Sequence, residues 1–138
     1  MKRLIFVVVA LLAGCVQMPP TAQDIQAKKF EAVAGKAVIY VVQPLGDSSN
    51  SGTVNLGDAG PITTQPGTYY RWEVAPGTHR IEGAGPFSAA AVVQAEAGKI
   101  YFVQHSVHGG IREGVSTVSL QQVGDAYGRR LVSLAQLI

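Results

Sequence analysis

Ala37-Val38-Ile39-Tyr40-Val41-Val42-Gln43 is a run rich in β-branched residues that carries no polar side chain before Gln43. A half-buried strand would alternate polar with apolar positions, whereas this stretch is apolar on both faces. It is predicted to be a central strand covered on both sides, and the fold has to supply those covers.

Working outward from it, Gly and Pro recur at short intervals from Lys36 onward, with β-branched and aromatic runs between them. That punctuation predicts strands over 53–56, 69–74, 78–83, 87–95, 100–107 and 115–123. The expected fold class is all-β: a small antiparallel β-sandwich of about seven strands with short flanking helices at its N- and C-terminal ends. Roughly 100 residues from Lys36 suffice for one core and are too few for two domains.

Two hairpins are expected. At Pro76-Gly77, Pro presets φ for the first turn position and Gly tolerates positive φ at the second. Pairing outward sets Val74 opposite His79, Glu73 opposite Arg80, Trp72 opposite Ile81 and Arg71 opposite Glu82. Tyr70, Trp72, Val74 and Ile81 then form a core face, with complementary charges on the other. Ala97-Gly98 repeats the pattern, with Glu96 opposite Lys99 and Val93 opposite Phe102.

Helices are expected at the two ends. Thr21-Ala22-Gln23-Asp24 has capping-box spacing, with Asp in place of the usual Glu, and Ile25, Phe30 and Val33 share part of a helical face. Asp125 is expected to N-cap a closing helix with Leu131, Leu134 and Ile138 on one side.

Upstream of the domain, Lys2 and Arg3 precede an apolar run from Leu4 to Leu12, which ends in Leu11-Leu12-Ala13-Gly14-Cys15. A charged start, a short apolar run and small residues before a Cys resemble the lipobox leader of bacterial lipoproteins. The run falls short of the roughly 20 residues that span a bilayer. The resemblance implies cleavage of residues 1–14 and lipid on Cys15, the only cofactor-like group expected. A tether over 15–35 and a β domain over 36–138 would follow. Val16, rather than Asp, after the Cys favours the outer membrane of the bacterial envelope, facing the periplasm.

Cys15 is the sole cysteine, so no disulfide is available to the folded part. Cleavage would also remove Lys2 and Arg3, leaving nine basic against nine acidic side chains. A balanced surface argues against nucleic acid as a partner, because such binding needs clustered positive charge.

A second resemblance rests on Ala37-Val38-Ile39-Tyr40, Gly67-Thr68-Tyr69-Tyr70, Val74-Ala75-Pro76-Gly77-Thr78-His79 and Ala97-Gly98-Lys99-Ile100-Tyr101-Phe102. Together these are similar to the bacterial lipoproteins grouped as domain of unknown function 2846 and, more distantly, to PEGA-type β domains. The likeness implies a lipid-anchored β-sandwich and brings no catalytic residues with it.

No constellation for catalysis is legible. There is no Gly-x-Ser-x-Gly elbow, and the only Cys would be lost to lipid. His105 and His108 would point to opposite faces of a strand, so no metal site is expected. The Gly-rich connection His108-Gly109-Gly110-Ile111-Arg112-Glu113-Gly114 offers amides and Arg112 for an anion, although hairpin loops use Gly for conformation alone. This loop and the 46–52 loop, with Asp47, Ser48 and Ser49, are the loops expected at any contact surface. Tyr69 with Arg71 is the other candidate, read as an exposed docking strip. The function expected is a non-enzymatic structural or protein-interaction module of the envelope, held to the membrane by lipid. Loop binding of a glycan or anion is the alternative, with an envelope hydrolase behind both.

Overall fold

The computed structural model describes residues 19–46, 50–85, 88–109 and 117–138. Cys15, Arg112 and the 47–49 segment lie outside the described residues. In chain order the elements are α1 (Ala22–Ala27), β1 (Ala37–Gln43), β2 (Gly52–Asn55), β3 (Pro61–Thr64), β4 (Thr68–Val74) and β5 (Gly77–Gly83). They continue with β6 (Ala90–Ala95), β7 (Ile100–His108), β8 (Thr117–Val123), α2 (Asp125–Ser133) and β9 (Gln136–Leu137).

The strands form a five-stranded sheet in the order β8-β7-β1-β4-β9 and a four-stranded sheet in the order β3-β2-β5-β6. β1 occupies the centre of the larger sheet and is buried at all seven positions, as its two-sided apolar character predicts. Ala37, Ile39 and Val41 face the smaller sheet and pack with Val54, Ile81, Ala91 and Val93. Val38, Tyr40 and Val42 face the opposite way, where they pack with Ala27, Tyr69, Phe102 and Val132. The period-2 alternation of one strand thus feeds two cores. One lies between the sheets and the other lies under the helices.

The architecture departs from an antiparallel, seven-stranded arrangement. β1 pairs with β7 in parallel, with Tyr40 opposite Phe102, and β4 pairs with β9 in parallel. β3 and β9 escaped sequence reading because each is short and weakly patterned.

Neither expected hairpin exists. β4 pairs with β1, placing Ile39 opposite Trp72 and Tyr40 opposite Arg71, whereas β5 belongs to the other sheet and pairs with β6 and β2. The chain crosses between sheets at Ala75-Pro76, and again at Ala97-Gly98 between β6 and β7. Pro-Gly chemistry fits a crossover as well as a hairpin, and here β4 takes β1 and not β5 as its antiparallel neighbour. The predicted cross-strand charge pairs accordingly become pairs along single strands. Arg71 binds Glu73 at 2.6 Å, and Arg80 binds Glu82. Trp72 is half-buried at the margin of the inter-sheet core and meets the His79 ring edge-on at 5.3 Å. His79 pairs across to Val93, not Val74, and its Nε2 lies 2.7 Å from the Ala75 carbonyl.

The helices form where expected but present different faces. Thr21 caps α1, its hydroxyl accepting from the Asp24 amide at 3.1 Å, which is half of a capping box. The Asp24 carboxylate turns inward instead of back to the cap. Ile25 faces solvent, since α1 ends after two turns and Phe30 adopts φ 53° to bring its ring onto the helix-side core. For α2 the N-cap is Gly124, and Asp125 sits in the first turn, paired with Arg129 at 2.8 Å. Leu134 and Ile138 are exposed, contrary to expectation; Val132 and Gly128 are the buried positions. Gly128 lies directly on Phe102, so the axis of α2 comes too close to β7 for larger side chains there.

Candidate functional site

β4 separates the two cores, and its edge opens onto a groove. The groove holds about 710 Å³. One wall is α1 with the segment after it, through Gln26, Glu31 and Val33. Tyr70, Arg71 and Glu73 of β4 form the floor, and Ile138 closes one end.

The charged groups here are mutually satisfied. The Arg71 guanidinium holds the Glu73 carboxyl below the usual carboxylate range. Arg71 also lies beside the Tyr40 hydroxyl, which donates to the Ala27 carbonyl at 2.6 Å. Burial pushes the Tyr40 phenol up, so it remains a neutral donor.

α1 is fastened beside the groove by Asp24. Its Oδ1 accepts from the Tyr69 hydroxyl at 2.8 Å and from the Leu137 amide at 3.0 Å. Its Oδ2 stands 2.9 Å from Lys28 Nζ, an ion pair without hydrogen-bond alignment, and Nζ donates to the Ala135 carbonyl at 2.6 Å. Burial pushes the Asp24 carboxyl up, but Lys28, the Tyr69 hydroxyl and the Leu137 amide outweigh it and hold the group below its ordinary value. The Tyr69 phenol is driven far up by burial and by the carboxylate that accepts its proton.

Tyr69 is therefore not the exposed aromatic that the sequence suggested. It is fully buried, because the helix layer covers the face of β4 that the hairpin reading left in solvent. Arg71 keeps partial access through the groove, with its side chain 23% exposed. His108 is exposed at the far end of β7, about 20 Å along the strands from the level of Arg71. Its Nε2 lies 3.2 Å from the Ser119 hydroxyl, with no described acid to orient the ring.

A second polar cluster lies inside the inter-sheet core. Thr64 donates to Gln43 Oε1 at 2.8 Å, and its oxygen lies 2.8 Å from His105 Nδ1, which must carry the proton. His105 Nε2 is then a buried acceptor that no described group satisfies. Gly52 backs onto it closely enough that a Cβ there would come within 2.8 Å of Nε2. Gln43 Nε2 donates to the Asn50 carbonyl at 2.8 Å, and Asn50 Nδ2 donates to the Gly109 carbonyl at 2.6 Å. The two loops singled out from sequence are thus in contact through Asn50 and Gly109. Sequence reading missed this cluster, although Gln43 carried a signal: it continues the phase of Ile39 and Val41 into the core.

Among the described residues no three His, Cys, Asp or Glu side chains converge on a point. No described helix is long and apolar enough to cross a membrane. Comparison with known proteins finds no family model, curated protein or solved structure that matches this chain.

Proposed function

We propose that this chain is a lipid-anchored envelope protein whose β domain holds a protein partner close to the membrane without chemistry of its own. The lipobox-like leader, and turn motifs that resemble those of lipoproteins of domain of unknown function 2846, support the address. The anchor would be Cys15, in the outer membrane and facing the periplasm, with the β domain a small sandwich that has acquired a helical cover.

The observation that carries the reading is the attachment of α1 to the body. From Cys15 to Ala22 the chain reaches at most roughly 25 Å when fully extended. Asp24, only two residues on, is bonded to Tyr69 and Leu137. No long flexible linker separates anchor from domain, so the domain rides at the membrane surface and its effective concentration toward membrane-proximal partners is high.

Fractionation with palmitate labelling tests the address: Cys15→Ser should leave the protein soluble and unlabelled, and label on that variant would refute it. Inserting twenty Gly/Ser residues after Pro20 should weaken partner crosslinking while leaving membrane attachment intact. Unchanged crosslinking would mean that distance from the membrane is irrelevant. Loop binding of a glycan or anion is favoured by one contact, that of Asn50 with Gly109, and saturable thermal stabilisation by such a ligand would establish it.

A further inference from the structure

We propose that the open edge of β4 is a strand-acceptor site, at which an extended segment of a partner protein adds to the five-stranded sheet beyond β9. The proposal rests on the interaction-module reading and names how that partner is held.

β4 is paired with β1 along its full length, but on its other edge β9 covers only Thr68 and Tyr69. The flanking bonds fix which groups face that edge. Gln136 N donates to the Gly67 carbonyl at 2.9 Å and Ile138 N to the Tyr69 carbonyl at 3.0 Å, so Tyr69 directs its backbone outward. Backbone direction alternates along a strand, which puts the amides and carbonyls of Arg71 and Glu73 on the same outward edge. No described backbone group pairs with them.

An exposed edge is a template for a further strand, and folded proteins ordinarily cover it or load it with unpaired charge. Here neither protection applies. The groove leaves the space beside Arg71 and Glu73 open, and their side chains neutralise one another at 2.6 Å. β9 pairs with this edge at Thr68 and Tyr69, so a strand bound beside Arg71 and Glu73 would continue an existing ladder. Main-chain bonds would supply affinity, and side chains at alternate positions would supply selectivity. The wall offered to those side chains is small and apolar at Ala27, Ala32 and Val33, with Gln26 and Glu31 at its rim. The occupant is thus an extended segment with modest apolar residues at every second position.

The test places a benzophenone photocrosslinker at exposed Ala32, inside the groove, in the full lipidated chain in cells. A control places it at Val92, which is 46% exposed on the other sheet. Mass spectrometry should find Ala32 joined to one extended, alternating segment of another protein, with Val92 silent. That segment, made as a peptide, should then slow exchange of the Arg71 and Glu73 amides at least tenfold. Amides of Tyr70 and Trp72, already bonded toward β1, should not change. Capture from Val92 alone, fast exchange unaltered by the peptide, or Arg71 and Glu73 amides already protected in the free protein would overturn the edge site and leave the module reading standing. Capture of a second copy of this chain would replace the partner with self-pairing, and silence at both positions would sink both readings.

Discussion

The hydroxyl of Tyr69 donates to Oδ1 of Asp24 at 2.8 Å, and this bond ties the first helix to a strand from the middle of the sequence. Oδ1 also takes the amide of Leu137, so one carboxylate oxygen joins α1, β4 and β9. Helix α1 has six residues and could not persist alone, since isolated helices shorter than about 12 residues are marginal in water. Its place beside the groove depends on Asp24.

Tyr69→Phe should therefore destabilise the protein by about 1.5–3 kcal/mol, the range for a buried hydrogen bond to a charged acceptor. Denaturant titration reads it as a lower midpoint at unchanged slope. Asp24→Ala, which removes the acceptor, should cost at least as much, and the double variant should cost clearly less than the two together, because both single changes remove the same bond. Additive losses would show that Asp24 and Tyr69 act independently.

The part of the fold that was legible in the sequence is the part set by local alternation. Ala37–Gln43 announced a strand buried on both faces, and the two cores on either side of it follow from that. The part that was illegible is pairing. Pro76-Gly77 looked like a hairpin because turn chemistry reports a change of direction and not which sheet receives the next strand. That misassignment put Tyr69 in solvent and made Arg71 a cross-strand partner of Glu82. Of the candidate site, Arg71 was found for the wrong reason. Asp24 was read only as a capping residue, because its inward partners come from β4 and β9, far away in the chain.

The crossover also sets the cost of losing Trp72. As a fully buried residue between paired hairpin strands, Trp72→Ala would cost about 3–5 kcal/mol. At the margin of the inter-sheet core, with His79 against its ring, it should cost less than about 3 kcal/mol. Phe102→Ala, which removes a ring stacked on Tyr40 at 5.2 Å and 1% exposed, should cost more. Thermal melts of the two variants side by side decide the order, and a larger loss for Trp72→Ala would show that Trp72 contributes as a central core residue and not a marginal one.

Gly128→Ala should be destabilising although it stands inside a helix, where Ala is ordinarily better by about 0.5–1 kcal/mol. A Cβ at this position would lie 2.1 Å from Cγ of Phe102. Phe102 is held by stacking on Tyr40 and an edge contact with Phe30, so it has no room to retreat. Overpacking of that kind costs roughly 1–3 kcal/mol. Stability measured by chemical denaturation should fall, and a rise would mean that α2 slides freely over β7.

Acid should weaken the fold through His105 before it reaches the carboxylates. Burial pulls the imidazole from its ordinary 6.5 down to about 4, and Nε2 faces Gly52 with no described acceptor for a second ring N–H. Below pH 6.5 the unfolded chain takes up a proton that the folded protein refuses, so stability is lost as pH falls, until the folded group also titrates near 4. The full effect of that window is roughly 3 kcal/mol, at 1.36 kcal/mol for each pKa unit. Asp24 and Glu73 have depressed values, so their contributions disappear only at lower pH, as each is protonated in the folded state. Denaturation between pH 7 and pH 4 on the natural chain and on His105→Gln isolates the histidine: the natural chain should lose stability steeply between about 6.5 and 4. The variant should be flatter there, and parallel curves would show that His105 accepts its proton in the folded state without penalty.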